Sequence, residues 1–154
     1  MFWILRLGVR YGVDDALRKN RECVQTATRL RSLAPDSTEA AAAGLLAIQA
    51  LRRTNDLEAI REWTAWLTRT FPDSATAVEA RYNLATFLQN SDRRDEAIPL
   101  LASVSQAQAQ EIADNALWKL AWAYRMEGRN DEARAALERM LAEFPESGFR
   151  KAAL

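Results

Sequence analysis

Through most of the chain, apolar residues recur at three- and four-residue intervals. Leu84, Phe87 and Leu88 form one such cluster, and Leu117, Leu120, Ala121 and Tyr124 another. This spacing lines one face of an α-helix. Between the clusters stand residues that end or start helices: Pro35, Asn55-Asp56, Pro72, Ser91-Asp92, Gly128 and Pro145. The pattern predicts helices near 13–33, 37–53, 56–70, 74–89, 94–106, 109–127 and 130–143, and no strand. Five glycines and four prolines in 154 residues, with abundant Ala, Leu, Arg and Glu, agree with an all-α fold. Pro99 falls inside the fifth of these stretches; a helix beginning near Arg94 to Glu96 places it in the first turn, where amides have no partner to lose.

The pattern also repeats. "TFPDSATAVEARYNLA", from Thr70, returns as "EFPESGFRKAAL", from Glu143, and "LAPDSTEAAAAGLLA" is a third copy. Pro35 and Pro72 are 37 residues apart and Pro72 and Pro145 are 73 apart, so a further joint is due near residue 108. No proline stands there, but Asn115 to Ala121 aligns with Glu79 to Ala85. A second anchor keeps the register: Ala59, Ala97 and Ala133, in "DLEAIREW", "RRDEAIPLL" and "NDEARAALE", lie 38 and 36 residues apart. Ala16 is a weaker version. Each small side chain marks a point where two helix backbones come close. Periods of this length belong to arrays of stacked supersecondary units.

"YNLATFLQNSDRRDEAIPLL" and "LWKLAWAYRMEGRNDEARAALERMLAEFP" resemble the tetratricopeptide repeat. That motif takes a bulky residue, then Leu-Gly/Ala, then an aromatic in its first helix, an Ala in its second, and a closing Pro. Trp118, Leu120, Ala121, Tyr124, Ala133, Leu137 and Pro145 fit throughout; the unit from Pro72 fits except for its closing Pro, replaced near Gln108; the unit from Pro35 has Gly44 where a bulky residue is expected. The resemblance implies a right-handed α-solenoid of about four antiparallel helix pairs. These are a degenerate pair at 1–34 and repeats at about 35–71, 72–107 and 108–144, with a partial unit at 145–154. The long period and the "FPDS" joint are most similar to repeats of bacterial cell-envelope proteins such as the Tol-Pal-associated division coordinator and the outer-membrane assembly lipoprotein. That style points to the periplasm or envelope, with the cytoplasm left open.

Charge and chemistry narrow the functions. Acids and bases balance at 21 each, which removes the general electrostatic attraction to nucleic acid or an anionic membrane. The opening "MFWILRLGVR" is far shorter than the roughly 18 residues of a membrane span, and its charges follow its apolar run, so neither membrane insertion nor a targeting segment is expected. There is no histidine, a single cysteine, and no glycine-rich phosphate loop, so no catalytic residue, metal site or cofactor is expected. The acid pairs Asp14-Asp15, Asp95-Glu96 and Asp131-Glu132 are expected at helix starts, where the helix dipole accounts for them. Cys23 is expected as a small buried side chain, aligned with Ala16, Leu17, Val24 and Ala27.

By the resemblance, partners lie on a concave face lined by the first helix of each pair. Its ligand-facing positions are Glu79, Tyr82, Thr86 and Gln89 in one unit and Asn115, Trp118, Trp122 and Arg125 in the next. Independently, Trp118, Trp122 and Arg125 stand at i, i+4 and i+7, one stripe with the composition of a binding hot spot. The alternative for either tryptophan is packing against a neighbouring repeat. Trp63 and Trp66, in a second helix, are expected in the core. The Lys/Asn carboxylate clamp of chaperone-binding relatives is incomplete, since Gly44 and Ile48 fill its first pair of positions and only Asn83 and Lys119 match. The sequence thus points to a non-catalytic scaffold for a protein or peptide. The alternatives are an accessory domain of an enzyme such as a lytic transglycosylase, or pentatricopeptide-type RNA binding, against which zero net charge and the tryptophan stripe both count. "FWIL" at one end and "KAAL" at the other are uncapped apolar ends, from which end-to-end self-association and a longer parent protein are expected. Phe149, Ala152 and Ala153 have the spacing to dock the last short helix on the preceding repeat.

Overall fold

The structure, a computed structural model, describes residues 2–107 and 110–153, with side chains described over 13–107 and 112–152. All the described secondary structure is helical: α1 (Phe2–Leu33), α2 (Thr38–Thr54), α3 (Leu57–Thr70), α4 (Ala75–Asn90), α5 (Arg94–Val104), α6 (Gln110–Met126), α7 (Asn130–Glu143) and α8 (Arg150–Ala153). The chain has an all-α solenoid-class fold made of helix pairs. The pairs are α2–α3, α4–α5 and α6–α7. Residues 1–34 depart from the expected degenerate pair, because they hold the single helix α1. The helix expected near 13–33 begins earlier and runs through Gly8 and Gly12, although each glycine costs about 1 kcal/mol in a helix interior. The expected joint at Gln108 and the side chains of "FWIL" lie outside the described residues, as does Leu154.

The chain divides into two compact units, 1–72 and 73–154. In the first, α2 packs against both α1 and α3. Ser37 caps α2 by accepting from the Ala40 amide at 3.1 Å, and Asp56 caps α3 by accepting from the Ala59 amide at 3.1 Å. Asn55 makes the turn between them in the left-handed region, with φ of 60°. The core of this unit is built around Trp63 and Trp66, both buried as expected and edge-on at 5.4 Å. Gly44 faces them: a Cβ there would lie 2.8 Å from Trp66 and 3.3 Å from Trp63. The bulky residue missing from α2 is therefore replaced by indoles arriving from α3. Arg31 of α1 covers both rings, at 5.1 and 5.2 Å from their centroids, and pairs with Glu62.

In the second unit α5 packs against α4 and α6, and α6 against α7. Ser74 repeats the Ser37 cap at α4, accepting from the Ala77 amide at 3.1 Å. Small residues fill much of the core, with Ala77, Ala80, Ala97, Ala116 and Ala123 fully buried, as are Leu88, Leu101 and Leu117. Ala97 and Ala133 are buried as the repeat register requires, whereas Ala59 is half-buried and Ala16 is exposed. Arg139 of α7 donates to the Ser105 carbonyl at 2.9 Å, tying α7 to the end of α5. Pro99 is the sixth residue of α5, two residues beyond the expected first turn. Both Pro99 and Asp95, whose carbonyl loses that amide, are exposed, so water can take its place.

Gly128 ends α6 at φ of 73°, with open space around its Cα. Gly128→Ala should therefore cost only the left-handed strain, about 1–2 kcal/mol, whereas Asn55→Gly should stay within about 0.5 kcal/mol of wild type. Chemical denaturation of both variants checks this; equal stability for Gly128→Ala and wild type would contradict it.

Two acid pairs occupy helix starts as expected, Asp95-Glu96 on α5 and Asp131-Glu132 on α7. A hydrogen bond from Arg129 holds the Glu132 carboxyl below its ordinary pKa. Asp14-Asp15 instead sit inside α1. There Lys19 first, and then Arg18, hydrogen-bond Asp15 and lower its pKa. Cys23 is half-buried where full burial is expected.

Candidate functional site

α4 is covered almost all round. Its less buried stripe runs through Glu79, Tyr82 and Thr86, which are half-buried, and reaches Asn90, which is exposed. On α6 the corresponding stripe is Asn115 and Trp118, half-buried, then Trp122 and Arg125, exposed. The apolar residues between these positions, Leu84, Leu88, Leu117, Leu120 and Ala121, turn into the core. The helical period thus leaves one polar and aromatic stripe on each helix. α4 and α6 touch directly.

Gln89 behaves differently from the other expected contact residues. It is 7 % exposed, and its amide donates to the Lys119 carbonyl at 3.1 Å, so it ties α4 to α6. Its partner is backbone on another helix, a contact with no trace in local sequence. Trp118 is half-buried and packs as the alternative reading expects. Phe149 stacks on it with ring centroids 5.2 Å apart and planes 8° from parallel. Docking of the last short segment is helped by Ser147, which donates to Asp114 at 2.8 Å.

Trp122 is 42 % exposed. Arg94, from the start of α5, lies 5.5 Å from its ring centroid, an attractive cation–π arrangement. Asp92 and Glu127 pair with that guanidinium and hold it in place. Beside the indoles a cavity of about 260 Å³ is lined by Gln89, Asn90, Trp118, Lys119 and Trp122. Asn90, Lys119, Arg94 and the half-exposed Met126 are absent from the sequence-derived set. Met126 and Asn90 had a local signal, since they continue the Trp118–Trp122 and Tyr82–Thr86 spacings by another four residues.

Among the described residues no cluster of three His, Cys, Asp or Glu side chains could hold a metal ion. No helix of the described residues is long and apolar enough to cross a membrane. What the α4–α6 face offers is non-covalent: indole surface, the guanidiniums of Arg94 and Arg125, carboxamide and a small cavity.

Helix pairs in tandem define a helical-repeat protein, a class whose members in general serve as protein-interaction scaffolds. Residues 115–147 match the family model of the tetratricopeptide repeat, so the chain carries a tetratricopeptide repeat spanning most of α6, all of α7 and the following joint. Among solved structures, the fold is similar to the crystal structure of MamA, itself a protein containing tetratricopeptide repeats. The TM-score is 0.61 at 20 % identity, covering 79 % of this chain and 67 % of that one. No curated protein matches the chain in sequence.

Proposed function

We propose that the α4–α6 face is the partner-binding surface of a non-catalytic scaffold, and that its partner is a protein or peptide segment. The observation that carries this is Trp122: a large apolar ring left 42 % exposed beside Trp118 and a cavity, with Met126 also exposed one turn further along the same stripe of α6. An exposed tryptophan next to an arginine has the composition of interface hot spots. Asn115, Trp118, Trp122 and Arg125 all fall within the matched repeat, and Glu79, Tyr82 and Thr86 extend the same surface along α4. Gln89 contributes by holding the two helices in register. The period and the "FPDS" joint support a parent protein of the bacterial envelope.

Panning a random dodecapeptide display library on the wild-type protein tests the proposal. Enriched peptides should bind wild type and lose binding to Trp122→Ala, while Arg53→Ala, far from this face in the chain, leaves it unchanged. Failure to enrich any peptide, or equal binding to Trp122→Ala, would overturn it.

A further inference from the structure

We infer that the α4–α6 face selects a peptide segment with one large apolar side chain, aromatic or leucine-like, next to a carboxylate. This rests on the proposed binding role of that face and adds the chemistry of its partner. The size of the anchor follows from the cavity. An apolar cavity of about 150 Å³ takes a benzene ring, and the 260 Å³ here accommodates one larger ring or branched aliphatic group. Trp118 and Trp122 are its aromatic lining, and Gln89, Asn90 and Lys119 complete it. The chain itself shows what Trp118 accepts, since Phe149 already stacks on that ring at 5.2 Å.

The charge next to the anchor follows from which cations are already satisfied. Arg94 is held by Asp92 and Glu127. Arg139 is paired with Glu143, and Arg129 with Glu132. Arg125 is exposed and carries no ion pair among the described residues. It stands three residues after Trp122 on α6, hence on the neighbouring turn of the same stripe. An anchor beside Trp122 therefore brings its adjacent residue within reach of a free guanidinium, for which a carboxylate is the matching group. Asn90, exposed at the cavity rim, offers both a donor and an acceptor to a peptide main chain. Trp122 is meanwhile fixed by Arg94, so the aromatic wall is set before binding.

The test uses the same dodecapeptide library panned on wild type and on Arg125→Glu. Wild type should enrich a large apolar residue adjacent to Asp or Glu. Arg125→Glu should weaken those peptides at least tenfold, and replacing their acid by lysine should restore binding to the variant. Melting curves matching wild type confirm that the exposed substitution leaves the fold intact. Peptides that need Trp122 but show no acid preference, or that bind Arg125→Glu equally, would overturn this inference and leave the binding face standing. Enriched peptides indifferent to Trp122→Ala would overturn both and point to the cleft between α1 and α2, lined by Leu17, Val24 and Leu51.

Discussion

Trp66→Ala should lower the unfolding free energy by about 3–5 kcal/mol, the range for a fully buried tryptophan truncation. Trp66 is 5 % exposed, edge-on to Trp63 at 5.4 Å and to Phe71 at 5.8 Å, and covered by Arg31. Removing it opens a void beside Gly44, which has no side chain to fill it. Gly44→Leu should destabilise by the opposite route, with overpacking of about 1–3 kcal/mol outweighing a helix-propensity gain of about 1 kcal/mol. The two changes are coupled through one volume, so the double variant should be more stable than the sum of single effects allows. Denaturant melts of the three variants read this cycle. Strict additivity would mean that Gly44 and Trp66 do not share the space assigned to them.

The second large effect concerns binding. Trp122→Ala should reduce affinity for an enriched peptide by about 30-fold or more, equivalent to the roughly 2 kcal/mol that defines a hot spot. Its stability cost should stay well below that of Trp66→Ala, because Trp122 is already 42 % exposed and Trp66 only 5 %. A stability loss as large as that of Trp66→Ala would place Trp122 in the core and remove the basis for the binding face. The contrast between two tryptophans of one chain controls for the residue type.

Much of this fold was legible because helical-repeat proteins repeat their own punctuation. Ser37 and Ser74 cap α2 and α4 through the same bond, and both were visible as the serine of a Pro-Asp-Ser joint. The α7 boundaries, Asn130–Glu143, follow directly from the residues on either side. What local pattern did not reveal was nonlocal compensation. Gly44 reads as a defect until Trp63 and Trp66 arrive from the next helix. Gln89 reads as a solvent-facing contact until the Lys119 carbonyl, thirty residues on, claims its amide. Asp14-Asp15 reads as a helix start because paired acids suit the helix dipole there, yet both lie inside α1. At the candidate site, the Trp118–Trp122–Arg125 stripe follows from helical spacing alone, whereas Arg94 reaches it from another helix and could not be placed from sequence.

The most direct test of the binding face is the indole N–H region of a ¹H–¹⁵N NMR spectrum, recorded as an enriched dodecapeptide is added. Single Trp→Phe variants would assign the resonances. The signals of Trp118 and Trp122 should shift with saturation while those of Trp63 and Trp66 stay in place. Shifts at Trp63 and Trp66 with none at Trp122 would contradict the account.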